Sequence, residues 1–208
     1  RRAASGVEIL LSGASIPAVI GDARAVSIAL DGLPLVSPSS GFAQASEIGD
    51  RTLVRLAVDR ALAGGRPVLE LFAGSGNLTV SLAREASHVT AVELSRAASV
   101  RAFENLALRG LSSRATIVCG DADATDVPRG VEVVVLDPPR AGARGACARI
   151  VASSARRVVY VSCDPATLGR DLASLAAGGF ALESGRLDAI DLFPDTSHLE
   201  VIATVVRD

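Results

Sequence analysis

The amino-acid sequence predicts an α/β fold, with a doubly wound and mostly parallel seven-stranded sheet that ends in an antiparallel C-terminal hairpin. From about residue 68 to residue 177, apolar runs of strand length alternate with segments of helical periodicity. That alternation predicts parallel strands with helices on both faces. After residue 177 two apolar runs follow each other with no helical segment between them, and we expect them to pair antiparallel. Apolar residues form 49% of the 208-residue chain, enough for a large core.

The first 46 residues differ from the rest and predict a small β appendage, which leaves residues 47–208 as the main domain. They contain four short apolar runs, and Asp31 with Gly32 has the composition of a hairpin turn. The four runs are Val7–Leu11, Ala18–Ile20, Val26–Leu30 and Leu33–Val36.

The main domain begins with a predicted helix that Asp50 caps and that extends to about Leu62, because apolar residues recur there at helical spacing. Strands and helices then alternate up to the terminal hairpin. The predicted strands are Val68–Phe72, Val89–Val92, Ala115–Cys119, Val131–Leu136, Val158–Ser162, Phe180–Ile190 and Leu199–Val206, and the predicted helices cover about 76–86, 95–109, 144–155 and 165–177.

Composition and charge exclude several classes of protein. Three cysteines, far apart and odd in number, argue against a disulfide framework or a four-cysteine metal site, so we expect no metal and a reducing cytoplasm. No apolar run approaches the ~20 residues that span a membrane. The net charge is −2, so binding to a nucleic acid would need a local positive patch or a further domain. The chain has no Met and begins with Arg1, and we expect it to be the C-terminal part of a longer protein.

A glycine-rich turn follows the first predicted strand of the main domain. Gly74 and Gly76 let the backbone turn tightly and approach a ligand. Glu93 ends the next strand, where a carboxylate can accept hydrogen bonds from both ribose hydroxyls of a nucleoside cofactor. Thr79 stands where a dinucleotide fingerprint has its third glycine, and the turn has no Lys for phosphates, so S-adenosylmethionine is the remaining candidate. Asp121, after the third strand, supports that cofactor; alternatively, the glycines serve only a tight turn.

Asp137 opens a stiff Asp-Pro-Pro-Arg sequence, residues 137–140, directly after the predicted strand Val131–Leu136. Ligands of open α/β sheets bind beyond the carboxyl ends of the strands, so this loop is placed to line a cleft. Two prolines suit a loop that must hold a planar base beside a methyl donor. The alternative is an ordinary proline-rich loop.

Cys163 ends the neighbouring strand, so its thiol is predicted to open onto the same cleft. Asp164 is predicted to cap the following helix, whose N-terminus would favour the reactive thiolate. We therefore interpret Cys163 as a nucleophile. The alternative for a cysteine is packing in the core, and we expect that of Cys119 and Cys147.

Three further polar residues are candidates for the site. Glu200 is a carboxylate within an apolar run, where burial would raise its pKa and make it a better base; a solvated edge-strand carboxylate is the alternative. His198 has the chemistry of either a structural hydrogen-bonding group or a catalyst. Gln44 carries an amide that can pair with the donor and acceptor edge of a base.

Taken together, these motifs resemble the RNA (uracil-5-)-methyltransferases, which make 5-methyluridine in tRNA or rRNA. The resemblance runs from about Gly41 to Arg207. It is carried by residues 42–44, 70–77, 92–93, 137–142, 161–171 and 193–200. It implies a Rossmann-like methyltransferase sheet, S-adenosylmethionine as the cofactor, an RNA substrate, and a cytoplasmic monomer with no membrane partner.

The resemblance also implies roles residue by residue. Cys163 would be the nucleophile that adds to carbon 6 of uracil, and Glu200 the base that removes the proton from carbon 5. Two positions depart from the family's pattern, because Ser46 stands for the usual Asn and Ala43 for the usual second aromatic residue. The pocket for the cofactor and the base would be lined by Gln44, Phe72, Asn77, Glu93 and Asp137.

Three alternatives remain open at this point. The Asp-Pro-Pro-Arg sequence also suits a methyltransferase that acts on an exocyclic amine of a base and needs no thiol. A cytosine carbon-5 methyltransferase is a closer variant. The third alternative is a fragment that binds the cofactor and turns over no RNA on its own.

Overall fold

A computed structural model describes residues 6–9, 18–21, 24–39, 46–191 and 199–208. Its centre is a seven-stranded sheet with the order β10-β11-β9-β8-β5-β6-β7, flanked by two separate two-stranded pairs, β1-β2 and β3-β4. The strands are β1 (Gly6–Ile9), β2 (Ala18–Gly21), β3 (Arg24–Ile28), β4 (Pro34–Pro38), β5 (Val68–Leu71), β6 (Val89–Glu93), β7 (Ala115–Cys119), β8 (Val133–Leu136), β9 (Arg157–Ser162), β10 (Ala181–Ile190) and β11 (Glu200–Val206).

The predicted sheet is confirmed. Strands β5 to β9 run parallel, and the terminal hairpin adds β11 and then β10 antiparallel at the β9 edge. The chain leaves the central strand β5 towards β6 and β7, then returns to build β8 and β9 on its other side. The strand order therefore reverses between β5 and β8. In open α/β sheets that reversal opens a crevice at the carboxyl ends of the strands.

Five helices cover the two faces of this sheet in the part of the chain that the structure describes. They are α1 (Glu47–Ala61), α2 (Asn77–Glu85), α3 (Arg96–Leu108), α4 (Arg144–Val151) and α5 (Pro165–Ala177), with a 3₁₀ turn at Ala122–Ala124. One predicted cap was wrong: α1 is capped by Ser46, whose hydroxyl accepts a hydrogen bond from the Gly49 N–H at 3.2 Å. Asp50 lies in the first turn instead and is buried. No helix among the described residues is long and apolar enough to cross a membrane.

Alternate residues of the parallel strands point to opposite faces of the sheet and fill two cores. On β8, Val133 and Val135 pack into a core that α1, α2 and the β3-β4 hairpin share. Val134 and Leu136 pack into the second core, with apolar residues of α4 and α5. Burial on both faces accounts for the almost continuous apolar runs of these strands.

The β3-β4 hairpin is fastened to the main sheet's helices by polar contacts. The Asn105 side chain on α3 accepts a hydrogen bond from the Val36 N–H at 2.9 Å and donates one to the Val36 carbonyl at 2.8 Å. At the predicted turn, Asp31 pairs with Arg109 at 2.8 Å and with Arg84 at 2.9 Å. The division of the chain at residues 46 and 47 stays a prediction.

Candidate active site

The cleft at the carboxyl ends of the strands is lined by segments from both sides of the sheet's reversal point. Leu71 on β5 pairs with Leu136 on β8, so the next residues, Phe72 and Asp137, leave the sheet side by side. The Asp137 N–H lies 3.4 Å from the Leu71 carbonyl oxygen. The glycine turn (residues 72–77) and the Asp-Pro-Pro-Arg loop (residues 137–142) therefore begin at neighbouring points.

The glycine turn needs its unusual backbone. Phe72 has φ of 62°, a left-handed conformation that non-glycine residues rarely adopt, and Gly74 and Gly76 have φ of 55° and 85°. A Cβ atom on Gly76 would lie 3.1 Å from the Cβ of Ala102, so the absence of a side chain lets the turn pack on α3. A Cβ on Gly74 would meet no described atom within 4 Å, because this part of the turn faces open space. The turn thus presents bare backbone to the cleft.

Glu93, at the end of β6, binds the backbone of the glycine turn through its carboxylate. Its Oε2 accepts a hydrogen bond from the Gly74 N–H at 2.8 Å, and its Oε1 accepts one from the Ser95 N–H at 2.7 Å. A carboxylate has about four lone-pair sites, so each oxygen can accept a further hydrogen bond. Glu93 ends its strand as predicted, and the two hydrogen bonds fix the orientation of its carboxylate.

Buried polar atoms gather under the same turn. The Asn77 Nδ2 donates to the Asp50 carboxylate at 2.8 Å, and burial raises the pKa of Asp50. Glu70, in the middle of β5, is 1% exposed, and burial raises its pKa to about 8. Glu70 lies against the hydroxyl and the backbone N–H of Thr79, which act on it as hydrogen-bond donors. Within the described residues, the Asn77 Oδ1 is buried and has no hydrogen-bond partner. The Asn77 Oδ1 is therefore an acceptor that a bound ligand with a hydrogen-bond donor would satisfy.

Asp137 lies between the carboxyl groups next to the glycine turn and the segment that carries Cys163, because the charges of both Asp50 and Glu200 act on it. Burial raises the pKa of Asp137 to about 7, and the negative charges of Glu200 and Asp50 add to the effect. Asp137 therefore takes up a proton more readily than a carboxylate in water does. Asp137 is thus close enough to interact electrostatically with both Asp50 and the Cys163 thiol.

Cys163 and Glu200 are brought together by strand pairing. Strand β11 runs antiparallel to β9 with Val201 opposite Ser162, so the residues beyond that pair, Glu200 and Cys163, face each other across the same two strands. Cys163 is half-buried, and Glu200 is 4% exposed. Burial raises the pKa of Glu200, as the sequence predicted, and Arg140 partly opposes that rise.

The predicted helix N-terminus follows Cys163, but other surroundings of the thiol oppose its effect. Asp164 does cap α5, because its carboxylate accepts hydrogen bonds from the Ala166 and Thr167 N–H groups. Burial nevertheless raises the pKa of Cys163, and the carboxylates of Glu200 and Asp137 raise it further, whereas Arg140 lowers it. The net effect of these surroundings is a raised pKa of the thiol.

The other sequence-predicted residues have different outcomes. Asp121 is exposed and caps the 3₁₀ turn after β7, where its Oδ1 accepts a hydrogen bond from the Asp123 N–H at 2.9 Å. Cys147 is buried in the core as predicted, but Cys119 is exposed at the end of the edge strand β7, so its predicted core position was wrong. Gln44 and His198 lie outside the described residues.

Two buried carboxyl groups next to the glycine turn were not among the predicted site residues. Glu70 carries a recognisable signal, because a charged residue in the middle of a strand buried on both faces is unusual. Asp50 was interpreted only as a helix cap. Its contact with Asn77 joins segments 27 residues apart, which sequence spacing does not reveal.

Comparison with known proteins places this geometry in a family. The family model described as tRNA (Uracil-5-)-methyltransferase matches residues 127–207, a range that contains the Asp-Pro-Pro-Arg loop, Cys163 and Glu200. A model described as conserved hypothetical protein 95 matches residues 56–161. A 23S rRNA (uracil(1939)-C(5))-methyltransferase of Klebsiella pneumoniae is 42% identical over 184 residues, which cover 85% of this chain and 42% of that protein. The chain belongs to the RNA (uracil-5-)-methyltransferase family.

Other members and solved structures extend the comparison. The enzyme of the same description from Pseudomonas aeruginosa is 36% identical over 94% of this chain and 45% of its own length. The chain thus spans less than half of the curated relatives that it matches. A Pyrococcus abyssi tRNA (uracil-54, C5)-methyltransferase solved with S-adenosyl-L-homocysteine superposes with a TM-score of 0.79 and 24% identity, over 97% of this chain and 51% of that one. At 24% identity this structural match supports the fold of the chain and carries no conclusion about its substrate.

Proposed function

We propose that this chain is the catalytic part of an enzyme that transfers a methyl group from S-adenosylmethionine to carbon 5 of a uridine in RNA, through a covalent adduct with Cys163. One observation supports the proposal most strongly. The β9-β11 register makes Glu200 and Cys163 the next residues beyond the Val201–Ser162 pair, and the charge of Glu200 acts on the Cys163 thiol. A nucleophile and a base at one ligand-binding cleft are what this reaction needs.

The residues of the cleft fit S-adenosylmethionine. That molecule carries hydrogen-bond donors and cations, and the side of the glycine turn holds a buried acceptor without a partner on Asn77 beside the Asp50 carboxyl. The open backbone at Gly74 leaves room for close approach of a nucleoside, and Glu93 can accept further hydrogen bonds. We assign the cofactor contacts to Gln44, Phe72, Gly74, Gly76, Asn77, Glu93, Asp121 and Asp137, with no metal ion.

Cys163 acts on the uracil ring. Carbon 5 of uracil is a weak nucleophile, and addition of the Cys163 sulfur to carbon 6 shifts the electron pair of the double bond towards carbon 5. When bound, the cofactor supplies the methyl group that this carbon takes. The attack requires the thiolate, so the proton of the Cys163 thiol must pass to a neighbouring group. Glu200 and Asp137 are the carboxyl groups whose charges act on Cys163. We assign the acceptor to Asp137, which leaves Glu200 ionised for the later step and can return the proton when the thiolate is released.

Glu200 completes the reaction. After methylation, carbon 5 carries both the methyl group and its original proton. Glu200 removes that proton, the electron pair restores the ring's double bond, and the Cys163 sulfur leaves as the thiolate. The raised pKa of Glu200, caused by its burial, makes the carboxylate a stronger base than one in water. A positioned base of this kind contributes roughly 10²–10⁴-fold to the rate.

The substrate is an RNA, and the names of the relatives favour ribosomal RNA. The target base must leave its stack to reach Cys163, which costs a few kcal/mol in comparable enzymes. We further propose that the enzyme is cytoplasmic and monomeric.

Trapping of the adduct tests the proposal. RNA that contains 5-fluorouracil, with S-adenosylmethionine, should form a stable complex with the chain, because a base cannot remove fluorine as it removes a proton. Mass spectrometry should place the RNA on Cys163, and the Cys163→Ala variant should form none. Methyl transfer that survives in Cys163→Ala would show a reaction at another position of the base. Cofactor binding with neither adduct nor turnover, at high concentrations of rRNA and tRNA, would show a binding fragment.

A further inference from the structure

Behind the cleft, two side chains of α5 grip both ends of the turn that closes the Asp-Pro-Pro-Arg loop. The Asp171 Oδ2 accepts a hydrogen bond from the Ala143 N–H at 2.7 Å, and the Arg170 Nη2 donates to the Ala141 carbonyl at 2.9 Å. The two side chains also bond to each other, because the Arg170 Nε donates to the Asp171 Oδ1 at 2.9 Å. We call Arg170 and Asp171 the loop clamp.

The clamp is built into the core. Asp171 is 1% exposed, and its Oδ2 also accepts a hydrogen bond from the Tyr160 hydroxyl on β9 at 2.7 Å. Burial and this bond to Asp171 raise the pKa of Tyr160, so the hydroxyl stays protonated and keeps donating. The Asp171 carboxylate therefore has partners on the loop, on the sheet and on its own helix, which fixes its position.

Gly142 shows how tightly the loop lies on the clamp. A Cβ atom on this residue would lie 2.3 Å from the Arg170 Nη2 and 2.5 Å from the Asp171 Oδ2. Gly142 also has φ of 79°, and its N–H donates to the Pro139 carbonyl at 2.8 Å. Only a residue without a side chain lets the loop close in this way against α5.

The helix that carries the clamp begins two residues after the proposed nucleophile. Helix α5 starts at Pro165, and Asp164 caps it, so α5 and Cys163 form one continuous unit. The loop that the clamp grips carries Asp137 and Arg140, whose charges both act on the Cys163 thiol. The clamp therefore joins the two segments whose separation sets the surroundings of that thiol.

We propose that Arg170 and Asp171 are positioning residues, which hold the Asp-Pro-Pro-Arg loop at a fixed distance from Cys163. The importance of this distance for catalysis rests on the proposed function. A misplacement of about 1 Å in an active site can cost on the order of a hundredfold in rate. If the clamp were purely structural, its loss would lower the stability of the fold and leave the reactivity of the thiol unchanged.

The test variant is Arg170→Lys. Lysine keeps the positive charge, but its single ammonium group cannot donate to Asp171 and to the Ala141 carbonyl as the arginine fork does. The chain offers a matched control in Arg157→Lys. Arg157 pairs with Glu183 at 2.8 and 2.9 Å and also donates to the backbone carbonyl of Arg60, but it lies at the opposite end of β9 from Cys163.

Two readouts separate position from stability. The first is the rate at which iodoacetamide alkylates Cys163 relative to the exposed Cys119 of the same molecule, resolved by peptide mass spectrometry without RNA or cofactor. The second is the kcat and KM of RNA methylation, with melting temperature and S-adenosylhomocysteine affinity as companions. We expect Arg170→Lys to raise the alkylation ratio about threefold, which corresponds to a pKa of the thiol lower by about half a unit. A loosened loop buries the thiol less and takes the Asp137 charge away, and these two changes outweigh the loss of the smaller opposite effect of Arg140.

We also expect Arg170→Lys to lower kcat by about tenfold to a hundredfold while the affinity for S-adenosylhomocysteine stays unchanged. Arg157→Lys should change only the melting temperature. Equal alkylation ratios in Arg170→Lys and Arg157→Lys would overturn the proposal. If the unaltered chain methylates no RNA, the proposed function has failed, and the alkylation ratio still decides whether the clamp sets the thiol's surroundings.

Discussion

Two glutamates stand at opposite edges of the same cleft, and their surroundings differ. Glu93, on the side of the glycine turn, accepts hydrogen bonds from two backbone N–H groups at 2.8 and 2.7 Å. Glu200, on the side of the thiol, is 4% exposed, and burial raises its pKa. The first carboxylate is held in place as a hydrogen-bond acceptor. The second is prepared to take up a proton.

This difference divides the cleft into a binding side and a reacting side. Opposed environments that separate the behaviour of like groups are a sign of assigned acid and base roles. We therefore expect changes on the side of the glycine turn to weaken cofactor binding, and changes on the thiol side to slow the reaction. Five predictions test that division.

Replacement of the nucleophile should have the largest effect. Cys163→Ala removes the covalent step, and loss of a catalytic nucleophile costs on the order of 10⁶-fold in other enzymes. Methyl transfer to RNA, measured with labelled cofactor, should become undetectable. Calorimetry should show an unchanged affinity for S-adenosylhomocysteine. Cys119→Ala is the control and should keep its activity, because Cys119 ends the edge strand β7.

Glu200→Gln should slow turnover by roughly 10²–10⁴-fold, because the amide cannot take the proton from carbon 5. The slow step then follows methyl transfer, so a methylated adduct with ordinary RNA should accumulate on Cys163. Gel electrophoresis under denaturing conditions would detect it. A variant that turns over slowly but accumulates no adduct would place Glu200 in an earlier step.

The fold was predictable because each strand and helix shows its own apolar pattern in the sequence. Much of the site depends instead on contacts between residues that are distant in the sequence. Alternating apolar runs predicted the parallel sheet and its antiparallel end. The raised pKa of the Cys163 thiol was not predictable, because the helix that follows is visible in the sequence but the carboxylates of Asp137 and Glu200 come from distant segments. The cap of α1 was misplaced for another reason: Ser46 and Asp50 are both good capping residues, and only the structure shows where the helix begins.

Glu93→Gln should weaken cofactor binding and leave the thiol unaffected. The glutamine amide can accept only one of the two N–H bonds and would turn its own N–H groups towards the other donor. Hydrogen bonds to a charged acceptor contribute about 1.5–3 kcal/mol, so the Kd for S-adenosylhomocysteine should rise about tenfold to a hundredfold. Glu132→Gln is the matched control, because Glu132 pairs only loosely with Arg156 at 3.8 Å. A change in the alkylation rate of Cys163 in Glu93→Gln would contradict the division.

The positive charge of the cofactor should activate the thiol across the cleft. The pKa of Cys163 is raised by burial and by the carboxylates of Glu200 and Asp137, and a nearby cation offsets the charge of such carboxylates. S-adenosylmethionine carries a sulfonium charge that S-adenosylhomocysteine lacks. The pH at which iodoacetamide alkylation of Cys163 is half-maximal should therefore be lower with S-adenosylmethionine, by about one unit. Equal midpoints with the two ligands would show that the sides act independently.

The smallest effect should come from Asp31 in the turn of the β3-β4 hairpin, which pairs with Arg84 and Arg109 and not with either glutamate. Although burial pushes the pKa of Asp31 up, hydrogen bonds from Arg109 and Arg84 lower it to about 2, from an ordinary value of 3.8. Because the folded-state pKa is the lower one, the stabilisation is present above about pH 4 and disappears as the pH falls towards about 2. Asp31→Asn should reduce the free energy of unfolding by about 1 kcal/mol or less at pH 7, since the pair is near the surface.

Urea unfolding at several pH values would measure that difference. The stability gap between the unaltered chain and Asp31→Asn should narrow below about pH 4, because protonation of Asp31 then weakens the same ion pair in the unaltered chain. The affinity for S-adenosylhomocysteine and the alkylation rate of Cys163 should match in the two proteins. If Asp31→Asn changes the ligand affinity or the alkylation rate at pH 7, the hairpin is coupled to the cleft through α2 or α3. The properties of the binding side and the reacting side would then depend on more than the residues around them.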